Sequence, residues 1–288
     1  MKKLLVLVAS LSVLATACGG SSDVTSTTAP SDEPTTTTTT GAPVEDESSR
    51  LVLRVGYRGG FVPIDFFVSQ SAAWELYADG SLYFEGVLPA IFPGPALRPL
   101  QVIDIGDDVL GVMDLIEDAG LPAIDQEFDN EGANFVADAS ETVFQYRDEA
   151  GTDHVLGVYA LGFDQPPQGR DAILIQLVDF LSQLASAEGA TEYAGDRLQV
   201  FIREGDPTQD PTSETVDWAL PVTPADFAAS EYEGWSCLTL EGEDAAAALT
   251  VLSEATETTH FDSDGTLYVS KARHLLPAEE GCAQIFDF

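Results

Sequence analysis

The sequence predicts an α+β fold, with antiparallel hairpins packed against two to four helices. Two-residue turn signals, Asp79-Gly80 and Asp264-Gly265, each sit between strand-like runs. Helical periodicity is confined to separate blocks near 109–116, 173–184 and 244–255. The strand runs come in pairs, so helices separate hairpins instead of alternating with single strands as a parallel βαβ series requires.

The first element is an export signal. Met1-Lys2-Lys3 is basic, Leu4 to Leu14 is apolar, and Ala15-Thr16-Ala17 places small residues before Cys18. Residues 1–17 therefore read as a signal peptide, too short to span a bilayer, which takes about 20 apolar residues. Residues 18–49 are rich in Ser, Thr, Pro and acids, with Thr35 to Thr40 unbroken. They cannot bury enough to offset the entropy of ordering, so a disordered tether is expected, about 30 Å across as a coil. A bare spacer is favoured over an O-glycosylated stalk. The folded part runs from Arg50 to Phe288, as one domain or as two intimately packed subdomains, 50–165 and 166–288.

Leu51 to Val55 alternates as a strand, and Trp74–Ala78 with Ser81–Glu85 forms the first hairpin. Pro89, Pro93, Pro95 and Pro99 predict an extended loop, because each proline removes a ladder donor. Asp107 or Asp108 is the expected cap of a helix presenting Val109, Val112, Met113 and Ile116, ended by Gly120. Thr142–Tyr146 and His154–Tyr159 form a second hairpin. Asp171 is the expected cap of the most apolar helix, through Ile173, Leu174, Leu177, Phe180, Leu181 and Leu184. A strand at Leu198–Ile202 follows. Thr223-Pro224-Ala225-Asp226 starts a short helix, with proline at its first position. Trp235–Leu240 reads as a strand, Asp244–Ala255 as a helix, and Thr258–Phe261 with Leu267–Val269 as the last hairpin.

Charge excludes some functions. The chain carries 12 basic and 49 acidic residues, and loss of Lys2 and Lys3 with the signal takes the balance from −37 to −39. Nucleic acid is not an expected partner, since phosphate contacts need clustered Lys and Arg. An anionic lipid surface would repel the chain. The acids are spread along the sequence, which favours a solubility adaptation over a block that recruits basic partners. Cys237 and Cys282 make an even pair in an exported domain, and a disulfide between them is expected.

Few residues point to chemistry. No nucleophile elbow, phosphate loop, dinucleotide fingerprint or zinc-protease helix is present, and no cofactor or metal is expected. Gly234-Trp235-Ser236-Cys237-Leu238 approaches an elbow but lacks its second glycine. Asp125, Glu127, Asp129 and Glu131 alternate like calcium ligands, yet Asn130 and Val136 stand where that loop needs Gly and Glu. A solvated acidic loop is expected there. His260, Asp262 and Asp264 also alternate, but the aspartates suit the turn itself. His154 is expected at the surface and His274 near the disulfide. Phe61, Pro63 and Phe66 lie in an unusually apolar connection, as do Ile91 and Phe92. If exposed, they form a partner-binding patch; if not, they close the core.

The tail Leu14-Ala15-Thr16-Ala17-Cys18-Gly19-Gly20 resembles the lipobox of bacterial lipoproteins. That resemblance implies cleavage before Cys18 and lipidation of Cys18, and hence a membrane anchor facing the extracytoplasmic side. The lipobox, the Thr-rich tether and, loosely, most of residues 50–288 resemble a class of uncharacterised bacterial envelope lipoproteins. The resemblance runs through Leu76–Gly80, Pro93-Gly94-Pro95, Asp118–Leu121, Ala137-Asp138-Ala139 and Leu275-Leu276-Pro277 before Cys282. It implies no activity. The expectation is a non-catalytic binding or structural domain with an envelope protein partner. An envelope hydrolase is the alternative, and a solute-binding lipoprotein stands third.

Overall fold

In the computed structural model the described residues are 50–88, 92–129, 136–163, 166–208 and 213–282, all within the compact unit Glu45–Phe288. Cys18, the tether, Glu131 and Ile91 lie outside the described residues. The chain opens with β1 (Leu51–Gly59), the one-turn helix α1 (Ile64–Phe67), β2 (Trp74–Tyr77), β3 (Ser81–Glu85), β4 (Leu97–Arg98) and β5 (Leu100–Asp104). Next come α2 (Val109–Asp118), β6 (Gln126–Asp129), β7 (Ser140–Arg147), β8 (Asp153–Tyr159) and α3 (Gly169–Ala185). β9 (Thr191–Glu192), β10 (Arg197–Glu204), β11 (Thr215–Asp217), β12 (Ala228–Ala229) and β13 (Ser236–Glu241) follow. The last elements are α4 (Gly242–Leu252), β14 (His260–Ser263) and β15 (Thr266–His274).

The fold is α+β, with two mixed, mostly antiparallel sheets. The first has the order β6-β8-β7-β1-β2-β3-β5-β9; the second runs β11-β14-β15-β10-β13-β12, with β4 also paired to β15. β14 and β4 share one edge of β15, opposite Thr266–Val269 and Ala272–Arg273 respectively. Each sheet has its own helical cover. Leu174, Leu177, Leu181 and Leu184 recur at three- and four-residue spacing on α3, and pack with Val112 and Ile116 of α2 onto Leu53 and Val55. On the second sheet, Ala245, Ala248 and Leu252 of α4 cover Leu198, Val200 and Ile202. So α3, which opens the expected second subdomain, packs on the first sheet, while β4 from the first half joins the second.

The segment after β15 connects the sheets. Its Ala278 N–H donates to the Tyr77 hydroxyl at 3.2 Å, and Leu276 is buried with Leu51, Tyr77 and Leu100. Glu279 accepts from Arg273 at 2.8 and 2.7 Å. The Cys237–Cys282 disulfide, with Cα atoms 6.0 Å apart, fastens the end of the segment to β13.

Several local expectations are corrected. Asp108 does hold the N-cap position of α2, but its side chain makes no capping hydrogen bond; a 3-10 turn over Gly106–Asp108 leads into the helix. Asp171 lies inside the first turn of α3, whose capping position is Gln168. The acidic stretch is solvated at Asp125 and Glu127, as expected, but Gln126–Asp129 is a strand and not a loop: β6 pairs parallel to β8, and Arg170 bonds Glu127 at 2.8 Å and Asp129 at 3.4 Å. His154 is no surface residue, with only 12% of its side chain exposed and its ring stacked on Tyr146. Residues 64–67 form a helical turn where the sequence suggests plain loop.

Candidate functional site: an exposed aromatic ridge

Nine large apolar side chains are exposed among the described residues, and seven of them fall on two short segments. Tyr57 lies near the end of β1, Phe61, Val62, Ile64 and Phe66 belong to the β1–α1 connection and α1, and Val87 and Phe92 to the connection after β3. Phe61 is 87% exposed and Phe92 77%. The expected patch residues thus stand in solvent: Phe61, Pro63, Phe66 and Phe92 are all exposed, and Ile91 lies outside the described residues.

The ridge is built by a tight turn. Gly59 and Gly60 both take positive φ, 66° and 87°, which turns the chain out of β1 at little steric cost. Pro63 precedes α1 with φ −59°, and its carbonyl accepts from the Phe66 N–H at 2.9 Å to start the turn. The inner side of this segment is pinned to the second sheet. The Asp65 carboxylate accepts from Arg203 at 2.9 Å and from the Trp235 indole N–H at 3.0 Å. The Asp65 carbonyl accepts from Lys271 Nζ at 2.6 Å, and Lys271 also pairs with Glu257 at 3.3 Å. Burial lowers the Lys271 pKa, and Glu257 opposes that shift. Val68 is buried with Phe201, Trp235, Cys237 and Val269. Arg98 lies over the Phe66 ring at 5.6 Å and bonds Glu85 at 2.7 Å. One side of the segment is therefore core and the other faces water.

Two openings border α1. A groove of about 390 Å³ is lined by Tyr57, Phe61, Val62, Phe66 and Phe67, with Gln70, Asp138 and Ser140 beside them. A second opening of about 650 Å³ is lined by Asp65, Phe92, Arg203, Glu204, Asp206 and Glu257, with His260 at its wall. Four carboxylates meet one guanidinium there, so the lining is acidic.

His260 is buried, and its Nδ1 lies 2.9 Å from the Ser213 hydroxyl. The far side of the ring packs on Gly205, where an added Cβ would come 2.8 Å from Nε2. Nucleophilic catalysis needs the base oriented by a third group, and among the described residues no carboxylate hydrogen-bonds the His260 ring. Asp262 accepts from the Gly265 N–H at 2.7 Å, which assigns it to the turn. No group of three or more His, Cys, Asp or Glu among the described residues is arranged to hold a metal ion. Ser236 sits within β13, paired to Ile202, not on a strand-to-helix elbow. His274 is buried with its ring 5.8 Å from that of Tyr193.

Sequence reasoning singled out the aromatics but missed what positions them. Asp65, Arg203, Trp235 and Lys271 are far apart along the chain and carry no motif. The chain matches no family model, no curated protein and no solved structure.

Proposed function

We propose that this chain is a lipid-anchored, extracytoplasmic lipoprotein whose folded domain binds an envelope protein through the exposed apolar side chains between Tyr57 and Phe66 and at Val87 and Phe92. Catalysis is not part of this reading. The observation that carries it is the concentration of seven of the nine exposed large apolar side chains on those two segments. Burying a Phe side chain stabilises by about 1.5–3 kcal/mol, so Phe61 and Phe92 alone hold about 3–6 kcal/mol that folding leaves unrealised. Clustered aromatic anchors are how protein interfaces concentrate binding energy. The signal sequence, Cys18 and the polar tether supply the anchor in this reading, and the tether lets the domain search a volume above the membrane. A hydrolase reading draws only on the Ser213–His260 pair, and the packing of His260 on Gly205 disfavours it.

The test is capture from envelope extract by the full-length lipidated protein in detergent, beside a Phe61→Ser/Phe92→Ser variant. A protein retained by the native chain, lost with the variant, and binding again when purified supports the proposal. Equal retention by both overturns it. So does a large fall in the variant's melting temperature, which would make the two rings core residues. Cys18→Ser should release the protein from the membrane fraction.

A further inference from the structure

We infer that the partner segment is basic as well as apolar: an apolar side chain enters the groove at Phe61 and Phe66, and a Lys or Arg reaches the acidic opening beside Phe92. This rests on the reading above and adds the partner's chemistry. Both openings border the same one-turn helix, Asp65 lining one and Phe66 and Phe67 the other. With the width of a helix, roughly 10 Å, taken as the span between them, an extended chain covers it in about three residues, and that is the spacing proposed for the apolar anchor and the basic residue. At about 390 Å³ the groove is at the small end of ligand sites, suited to one or two side chains.

Charge selects the occupant. The larger opening presents Asp65, Glu204, Asp206 and Glu257 against Arg203, with the Lys271 ammonium behind Glu257. The exposed Phe92 ring at its rim offers a face to a cation. The whole chain is acidic, at −37, so the field reinforces the local preference. An acidic peptide would meet like charge at the opening, and an anionic bilayer would meet it over the whole domain. A protein segment with adjacent apolar and basic side chains satisfies both openings at once.

The experiment uses full-length protein in detergent and short labelled peptides with Phe or Leu at one position and Arg, Gln or Glu three residues later. Fluorescence anisotropy should give the Arg peptides at least tenfold tighter binding than the Glu peptides, with Gln between. Raising NaCl from 0.05 to 0.5 M should weaken the Arg peptides several-fold and the Gln peptides little. Glu204→Gln/Asp206→Asn should reduce the Arg-over-Gln preference by at least threefold and leave Gln peptides unchanged. Equal binding of Arg and Glu peptides, or no peptide binding up to millimolar, overturns the inference while the capture result above can still stand. Ridge-dependent binding to phosphatidylcholine vesicles in place of peptides also overturns it, because the occupant is then a bilayer. If the Phe61→Ser/Phe92→Ser variant captures the same envelope proteins as the native chain, the underlying reading fails first.

Discussion

Replacing Glu279 by Ala should cost about 3–5 kcal/mol of folding stability. Arg273 and Glu279 have side chains only 3% and 5% exposed, so solvent screening gives little relief. The Glu279 carboxylate takes two contacts from Arg273, at 2.8 and 2.7 Å, and one from the Leu276 N–H at 2.8 Å. Its removal leaves a buried guanidinium without that carboxylate and a backbone donor without its acceptor, and breaking a buried pair in this way costs about 3–5 kcal/mol. The disulfide at Cys282, three residues further on, keeps the segment from swinging out to let water in. With a urea m-value of about 3 kcal/mol per M, the unfolding midpoint falls by about 1–1.7 M. Arg273→Met/Glu279→Leu removes both charges and should recover much of that loss, short of native by the cost of the Leu276 N–H left without its acceptor, about 1–3 kcal/mol. Equilibrium urea unfolding with the disulfide intact measures all three proteins. A midpoint shift under about 0.3 M for Glu279→Ala, or a double variant as unstable as the single, refutes the reasoning.

Three further outcomes follow from the packing. Gly205→Ala places a Cβ 2.5 Å from His260 Cδ2, so it should destabilise by about 1–3 kcal/mol, and His260→Ala should relieve most of that in a double-mutant cycle; additive losses would contradict it. Cys237→Ala/Cys282→Ala opens a loop with a sequence separation of 45, which costs about 4 kcal/mol in the chain-entropy model; native protein in reductant should then unfold at the variant's midpoint. Burial depresses the His274 pKa in the folded state, so the unfolded chain binds this proton more readily. The sign makes the neutral ring's contribution complete above about pH 6.5 and lost as pH falls through that value toward the folded pKa. Urea midpoints between pH 7 and 5 should fall more steeply for native protein than for His274→Phe, and parallel profiles would sink the assignment.

Local chemistry made the hairpins legible. Asp79-Gly80 and Asp264-Gly265 give their own turns, and the leucine stripe of α3 gives its buried face, without reference to the rest of the chain. β5 was hidden because it starts directly after Pro99, where the proline-rich reading still applies. β15 runs past the expected Val269 to His274 because Lys271, Arg273 and His274 read as polar exits from a strand. In the fold Lys271 pairs with Glu257, Arg273 with Glu279, and the His274 ring packs edge-on against Tyr193, none of which a local pattern can foresee. β9 and β11, of two and three residues, are set by their partners alone. The cysteine pairing was legible from parity and export; the exposure of Phe61 and Phe92 was not. An apolar loop can close a sheet face or stand in water with the same composition, and only distant residues decide which.

Those distant residues give the ridge its meaning. A connection left free would be expected to fold its aromatics inward, since burial of each ring is favourable by about 1.5–3 kcal/mol. Here Asp65 holds the segment by its carboxylate to Arg203 and Trp235 and by its carbonyl to Lys271, while Val68 fills the core below. With the inner side fixed, Phe61, Ile64 and Phe66 stay exposed among the described residues. If a partner covers them, as proposed, a segment already held in place by these bonds loses less entropy on binding. Asp65→Asn should therefore weaken partner capture although Asp65 offers no apolar contact, with Phe61 and Phe66 unchanged in identity. A native-like capture by that variant, alongside loss in Phe61→Ser/Phe92→Ser, would mean that the aromatics bind without needing the scaffold that fixes them.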